Sequence, residues 1–272
     1  MDAQEPGGHE VTAPKEVFSA VSAFHDIRVT DYGFSRVLSF GRNRQSSMFL
    51  DSPFDTDFEY PSYFHVALAL KPDAATALAI GLGGATVVKR MWRDYPEMRV
   101  DAVELDPEVV GVARRFFALP EDERIRVFTG DGRGFLEASD DSYDLVIVDA
   151  FDDDAVPPHL SDDGFIRVLR DRVGTDGIVA YNFIGELRGE GSMPFRELYR
   201  RLADAWDYVW VFVVNEGVAA GGTNIVLFAT DAPVAEPELR RRIASRVDGL
   251  VSVPAFHLFG DDLWAEEAEQ AE

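Results

Sequence analysis

The 272-residue sequence contains no cysteine, which excludes disulfide bonds and thiolate metal sites. Its five histidines are scattered without the spacing typical of zinc ligands, so we predict that no metal is bound. No apolar stretch approaches the roughly 20 residues of a membrane-spanning helix, and we expect no membrane partner. The first residues lack the basic and apolar regions of a signal peptide, which favours a cytoplasmic location.

Lysine is nearly absent as well. Only Lys15, Lys71 and Lys89 occur among the 26 basic residues, against 49 acidic ones, and the net charge is −23. Such a surface repels phosphate backbones, so we expect no nucleic-acid partner and a small cationic substrate. The composition fits a protein adapted to a high-salt cytoplasm, where screening weakens self-repulsion, and it equally fits an ordinary acidic protein from a GC-rich genome.

The remaining sequence divides into four segments. We predict disorder for the polar residues 1–15, β-hairpins for 16–58, an α/β domain for 59–230, and a peripheral helix with an acidic tail for 231–272. Short alternating runs separated by Gly and Asn predict the hairpins. The length suits one large α/β domain with small additions.

Strands and helices alternate along the third segment. After a helix over 60–70, the predicted strands are TALAIG, RVDAVEL, IRVFTG, YDLVIVD, GIVAYNFI, YVWVFVV and NIVLFAT. Alternation predicts a parallel sheet covered by helices on both faces. Only nine residues separate the last two strands, too few for a crossover helix, so they should pair antiparallel. This predicts the Rossmann sheet of S-adenosylmethionine-dependent methyltransferases, mostly parallel with an antiparallel last strand.

Helix starts are marked by short polar side chains. Asp106, followed by Pro107, and Ser161 are predicted to cap the helices DPEVVGVARRFFAL and SDDGFIRVLRDRV. Neither cap by itself points to a function.

A glycine-rich turn or an acidic residue stands at the carboxyl end of each of three successive strands. Ligands of open α/β sheets bind at that edge. GLGGAT (81–86) is a glycine-rich turn, and we assign Gly81 and Gly83 to cosubstrate binding because a ligand can approach glycine backbone closely. Glu104 can accept hydrogen bonds from both ribose hydroxyls, and Asp131, beside Gly132, can accept from an adenine amino group. The alternative for the glycine-rich turn is a tight turn that binds no ligand. The alternative for Glu104 is an exposed acid at a strand end, and the alternative for Asp131 is a helix cap. Together the signals predict an adenosine-containing cosubstrate.

The fourth strand runs into an acidic loop, DAFDDD. Asp149 ends the strand and should point into the same crevice, and Asp152 lies within reach of the same ligand. Asp153 and Asp154 are predicted to face solvent. The alternative is a solvated turn on an acidic protein.

Over roughly residues 30–230 the chain resembles the spermidine synthase (polyamine aminopropyltransferase) family, as a divergent member. The resemblance is strongest in AVELDPEVVGVARRFF, TGDGRGFL and YDLVIVDAFDDD…PPHL. It implies that Asp149 accepts a proton from the attacking amine and that Asp152 holds the distal ammonium. It also implies that Glu104 and Asp131 hold the nucleoside and that Gln45, in FGRNRQ, contacts the cosubstrate.

Two positions depart from the family pattern. Gly84 stands where the family has an aspartate that contacts the amino group of decarboxylated S-adenosylmethionine, and its loss should make room for a carboxylate. In FDTDFEYPSYFH the family's tyrosine could be Tyr60 or Tyr63, with Glu59 as the nearby acid, and we choose Tyr63 for substrate binding.

Three hypotheses follow for function. The first is aminopropyl transfer from decarboxylated S-adenosylmethionine to a small polyamine. The second is methyl transfer from S-adenosylmethionine, and the third is nucleoside or polyamine binding without catalysis. The acceptor amine and the oligomeric state, a homodimer included, stay open.

Overall fold

The computed structural model describes residues 13–152, 155–214, 223–245 and 263–264. Most of the predicted N-terminal disorder (1–15) and the acidic tail lie outside these residues. In the described ranges, no helix is both long and apolar enough to cross a membrane.

The described part of the chain starts with a four-stranded antiparallel meander. Its strands are β1 (Lys15–Val21), β2 (Asp26–Tyr32), β3 (Ser35–Phe40) and β4 (Asn43–Phe49). Gly33 and Gly41 have positive φ, as tight hairpin turns require, so the predicted hairpins are confirmed.

A seven-stranded sheet follows. Its strands are β5 (Thr76–Ile80), β6 (Arg99–Glu104), β7 (Ile125–Thr129), β8 (Tyr143–Val148), β9 (Val173–Gly185), β10 (Tyr208–Val214) and β11 (Thr223–Thr230). Their spatial order is β10-β11-β9-β8-β5-β6-β7. β11 enters between β9 and β10 and runs antiparallel to both, whereas β5 to β9 are parallel. The predicted methyltransferase-like sheet with an antiparallel last strand is thereby confirmed.

Helices cover both faces of this sheet. They are α1 (Tyr60–Tyr63), α2 (Ala67–Leu70), α3 (Thr86–Asp94), α4 (Pro107–Phe116), α5 (Gly132–Ala138), α6 (Asp163–Arg172), α7 (Met193–Ala205) and α8 (Glu236–Ser245). A 3-10 turn over Phe64–Val66 joins α1 to α2, which gives the continuous helical stretch predicted for 60–70. α4 begins at its predicted cap, because the Asp106 side chain accepts from the N–H of Glu108.

The predicted cap of α6 was wrong by one residue. Asp162, not Ser161, accepts from the backbone N–H of Phe165. Ser161 and Asp162 are both residue types that commonly cap helices, so the sequence alone does not say which one is the cap. The cap is the residue that has an extended backbone conformation just before the first helical residue.

The meander packs on the seven-stranded sheet's domain through α4. Ile27 and Val29 of β2 are fully buried in one cluster with Val109, Val112 and Phe117. This contact places the β3–β4 hairpin beside the carboxyl ends of β5 and β6, where the site lies.

Candidate active site

A cavity opens at the carboxyl ends of the four parallel strands β5 to β8. The β3–β4 hairpin forms its opposite wall, and the 3-10 turn Pro158–Leu160 closes one side. Six predicted nucleoside-site residues line it: Gln45, Gly81, Gly83, Glu104, Asp131 and Gly132. Asp149, the predicted proton acceptor, lines it as well.

Glu104 ties the glycine-rich turn to the end of the neighbouring strand. Its Oε2 accepts from the N–H of Leu82 at 2.9 Å, and its Oε1 accepts from the N–H of Asp106 at 3.0 Å. Burial raises the pKa of this carboxyl, and the backbone hydrogen bonds offset part of that rise. An ionised carboxylate offers about four acceptor sites, so these backbone hydrogen bonds leave part of its acceptor capacity for a ligand.

The turn itself needs glycine at its first position. Gly81 has φ +95°, and a Cβ there would lie 2.1 Å from the carbonyl oxygen of Asp149. A side chain would therefore push apart the ends of β5 and β8. Because Gly81 has no side chain, its backbone is also accessible from the cavity.

Asp131 combines two structural contacts at the start of α5. Its Oδ1 accepts from the N–H of Gly134 at 2.8 Å, and its Oδ2 lies 2.8 Å from Nε2 of His159. Burial acts to raise the pKa of Asp131, but the hydrogen bonds from Gly134 and His159 outweigh it and the pKa is lowered. Gly132 is required next to it, because a Cβ would lie 2.3 Å from Cγ2 of Ile80.

Asp149 is held by two neutral donors. Its Oδ1 accepts from Nδ2 of Asn182 at 2.9 Å, and its Oδ2 accepts from the hydroxyl of Tyr60 at 3.2 Å. Burial raises the pKa of Asp149 to about 6, although both hydrogen bonds act to lower it. The group can therefore change protonation state near neutral pH, as a general base requires.

The N-terminal meander supplies an aromatic part of the wall. The ring of His25 stacks on Phe40 with centroids 3.9 Å apart, and its Nδ1 lies 3.1 Å from Oδ2 of the buried Asp106. On β4, Ser46 follows Gln45, and its Oγ accepts from the N–H of Gly84 at 2.9 Å. These contacts lock the hairpin onto the glycine-rich turn.

The cavity is acidic. Glu104, Asp131 and Asp149 face it, and among the described residues that line it there is neither lysine nor arginine. Clustered carboxylates repel one another, and a cationic ligand relieves that repulsion. The chemistry of the wall therefore suits a positively charged ligand.

Two predicted substrate residues do not line this cavity. Tyr63 is buried at 4% exposure and packs against Phe212, with ring centroids 6.2 Å apart. Tyr60, three residues earlier on the helix, reaches Asp149 instead, and substrate binding by Tyr63 stays a prediction. Asp152 is exposed and exchanges backbone hydrogen bonds with Ala155, so its predicted role stays a prediction. The solvent-facing positions predicted for Asp153 and Asp154 lie outside the described residues.

The space expected beside Gly84 is filled. A Cβ on Gly84 would lie 2.8 Å from Cβ of Ser46 and 2.9 Å from Cδ1 of Phe117. The lack of an acid at this position therefore leaves no open volume for a carboxylate of the ligand.

Three polar residues at or behind the wall are not among the residues predicted from sequence: His25, His159 and Asn182. His159 stands in the PPHL motif, and Tyr60 is named only as the alternative to Tyr63. His25 and Asn182 carried no local signal, because their places depend on sheet packing. Over the described ranges, no group of three His, Asp or Glu side chains could hold a metal ion.

The fold and this edge of the sheet define a Rossmann protein of the methyltransferase-like class with an acidic ligand cavity. Residues 59–182 match the family model for the spermine/spermidine synthase domain. A polyamine aminopropyltransferase of Neisseria meningitidis serogroup A is 31% identical over 192 residues, which cover 69% of this chain and 71% of that protein. The chain belongs to the spermine/spermidine synthase family, as its motifs predicted.

Coverage differs among the relatives. A probable polyamine aminopropyl transferase of Bifidobacterium longum is 34% identical over 134 residues, 48% of this chain and 30% of that protein. The chain covers 63% of the length of a Vibrio vulnificus polyamine aminopropyltransferase at 32% identity. The chain thus spans less than two thirds of both of these relatives.

Solved structures share the fold. A probable spermidine synthase from Corynebacterium glutamicum superposes with a TM-score of 0.71 at 20% identity, covering 86% of this chain and 88% of that one. Human methyltransferase-like protein 13 in complex with SAH gives a TM-score of 0.60 at 21% identity, covering 68% and 89%. These likenesses support the sheet topology described above.

Proposed function

We propose that this protein transfers an aminopropyl group from decarboxylated S-adenosylmethionine to a small amine, with Asp149 as the proton acceptor. One observation carries the proposal. A partly buried carboxylate, held only by the neutral donors Tyr60 and Asn182, faces a cavity whose described wall has no lysine or arginine. Family membership supplies the reaction class, since the relatives are named polyamine aminopropyltransferases.

The chemistry assigns a task to this carboxylate. An aliphatic amine has a pKa near about 10.4, and only its neutral form has the lone pair that attacks carbon. That lone pair forms the new C–N bond at the carbon beside the sulfonium while the C–S bond breaks. The C–S electron pair returns to sulfur, which leaves as neutral methylthioadenosine. The proton that the nitrogen sheds passes to Asp149, whose pKa of about 6 keeps it ionised at neutral pH.

The nucleoside is assigned to the other strand ends. Glu104 accepts from the ribose hydroxyls with the acceptor capacity that its backbone hydrogen bonds leave, and Asp131 accepts from the adenine amino group. Gly81 and Gly83 let the backbone approach the ligand closely, Gly132 does so at the start of α5, and Gln45 contacts it from the hairpin. The bound amine lies between Tyr60 and the acidic loop, where Asp152 takes the distal ammonium by charge pairing.

Aminopropyl transfer is favoured over the two other hypotheses. A methyltransferase shares the sheet and the nucleoside site, but the relatives' names favour aminopropyl transfer. A binding protein does not need a carboxylate tuned to titrate near pH 6 at the cavity wall. The predicted cytoplasmic location and the absence of nucleic-acid and membrane partners stay predictions.

The test measures products. The protein is incubated with decarboxylated S-adenosylmethionine or S-adenosylmethionine and a panel of di- and polyamines, and the nucleoside released is identified by chromatography. We expect methylthioadenosine from the decarboxylated donor. Release of S-adenosylhomocysteine would establish methyl transfer instead, and neither product with any amine would remove the catalytic proposal.

Variants locate the chemistry. Asp149→Asn keeps the shape but cannot accept the proton, so turnover should fall by about 10²–10⁴ with little change in nucleoside binding. Asp152→Asn should act mainly on the amine KM, because its charge pairing is present in ground and transition states alike. Asp140→Asn, an exposed acid away from the cavity, is the matched control and should behave like the wild type. Equal rates in all three variants would place the function elsewhere.

A further inference from the structure

Three apolar rows on one face of the seven-stranded sheet end in polar side chains. The rows are Leu145–Ile147–Asp149 on β8, Ile178–Ala180–Asn182 on β9 and Phe228–Val226–Asn224 on β11. Alternate residues of a strand share a face, so the three polar ends lie on the side that Tyr60 covers. Each row changes from apolar to polar side chains at its last position, next to the cavity. A polar side chain at the end of a core row calls for a chemical reason.

Strand register brings these ends together. Val148 pairs with Tyr181 in parallel register, so Asp149 and Asn182 are the next neighbours across β8 and β9. Asn182 pairs with Val226 on β11, which makes Asn224 its diagonal neighbour on the same face.

The side chains form a directed chain of hydrogen bonds. Nδ2 of Asn224 donates to Oδ1 of Asn182 at 2.9 Å, and Nδ2 of Asn182 donates to Oδ1 of Asp149 at 2.9 Å. Asn182 is 1% exposed, so water cannot replace either bond. The only remaining rotation of its amide would place its oxygen against the Asp149 carboxylate, acceptor against acceptor.

We propose that Asn224 is a positioning residue for the transfer reaction. By occupying the oxygen of Asn182, it fixes that amide with its NH₂ toward Asp149 and so holds the carboxylate ionised and aimed at the attacking nitrogen. The inference rests on the proposed function for its catalytic meaning, but the hydrogen-bond chain acts on Asp149 whether or not a substrate is bound.

Other titratable groups face Asp149 from the surrounding elements. Tyr60 of α1 donates to it directly, Glu104 at the end of β6 and Asp131 before α5 share the cavity, and His25 and His159 complete the wall. All of them stay in place when Asn224 is changed, so a shift seen on changing Asn224 is carried by Asn182.

An amide and a carboxylate at position 224 favour opposite orientations of the Asn182 amide. Asn224→Asp is nearly isosteric but can only accept, so it draws the NH₂ of Asn182 toward itself and turns the Asn182 oxygen toward Asp149. Asn224→Ala removes the donor without reversing the preference. The acid variant should therefore disturb Asp149 more than the truncation does.

The control separates orientation from added charge. Thr223 is the adjacent residue of β11, and its side chain lies on the opposite face of the sheet. Thr223→Asp adds a negative charge at a similar place in the chain without reaching Asn182. Long-range repulsion would act in both aspartate variants, whereas amide reversal acts in Asn224→Asp alone.

The primary measurement needs no substrate. The carboxyl ¹³C resonance of Asp149, assigned through Asp149→Asn, is titrated by NMR in the ligand-free full-length protein. We expect its midpoint to rise by about one pH unit in Asn224→Asp, and by less in both Asn224→Ala and Thr223→Asp. Unchanged titration in both Asn224 variants overturns the proposal, and so does an equal shift in Thr223→Asp. If Asn224→Asp does not fold, Asn224→Ala carries the test.

The second measurement adds the reaction. The rate of methylthioadenosine release is followed against pH, and its acid limb should move with the NMR midpoint while the plateau at high pH is retained. An NMR shift without product from any amine supports the positioning role of Asn224 and removes the proposed function. If product forms with the same pH profile in all variants, the proposed function is supported and the positioning role of Asn224 is overturned.

Discussion

The Glu104 carboxylate and the backbone N–H of Leu82 are 2.9 Å apart, which joins the end of β6 to the glycine-rich turn after β5. The same carboxylate accepts from the N–H of Asp106, and burial raises its pKa. One side chain thus shapes the turn and faces the cavity, and its replacement should affect both.

Glu104→Gln should weaken methylthioadenosine binding by about 1–3 kcal/mol, because hydrogen bonds to a charged acceptor contribute that much. Isothermal titration calorimetry measures this loss, and the ligand should raise the melting temperature of the wild type by mass action. The exposed Glu97→Gln is the control. Unchanged affinity in Glu104→Gln would remove Glu104 from the nucleoside site.

Asp149→Asn should stabilise the protein at neutral pH. The pKa of this carboxyl rises from 3.8 to about 6 on folding, so the folded state holds the proton more tightly than the unfolded chain. The stability from that group is present in full below pH 3.8 and is lost as the pH rises through 6. Asparagine does not ionise, so the variant should gain about 2–3 kcal/mol at pH 8 relative to pH 4. Urea unfolding at both pH values tests this, and an equal difference at the two would contradict it.

Asp131 can be separated into its capping and binding roles. Asparagine caps helices as well as aspartate does, so Asp131→Asn should keep the melting temperature and lose nucleoside affinity. Asp131→Ala should lose affinity and about 1 kcal/mol of stability as well. Thermal unfolding and calorimetry of the two variants provide the comparison. If both keep full affinity, Asp131 acts as a cap alone.

Gly84→Asp, which restores the acid of the family pattern, should destabilise the fold by about 1–3 kcal/mol. The new side chain meets Ser46 and Phe117 in a packed region, and overpacking has this cost. Gly174→Asp is the matched control, since a Cβ there has no atom within 4 Å. Equal melting temperatures for the two variants would show that the hairpin yields easily at Gly84.

The charge of −23 should make stability depend on salt. If the surface is adapted to a saline cytoplasm, the melting temperature in molar KCl should exceed that in dilute buffer, because screening lowers self-repulsion. A melting temperature that stays flat or falls between these conditions counts against a halophilic protein.

The order and spacing of the apolar runs were enough to predict the sheet and the edge at which the cavity lies. Glu104, Asp131 and Asp149 could be found because each follows an apolar run, and parallel strands bring their carboxyl ends to one edge. The antiparallel last strand followed from a connection too short for a crossover helix. These features are local in the sequence, so they can be recognised without knowing how the elements pack.

Which side chains complete the cavity wall depends on how distant elements pack together. Tyr60 and Tyr63 are both aromatic residues of one helical turn, and the direction of that turn sends the first to Asp149 and the second into the core. His25 reaches the cavity because the meander packs on α4. Asn182 and Asn224 meet because β11 inserts beside β9 in one register, a pairing of residues 42 positions apart that no local pattern encodes.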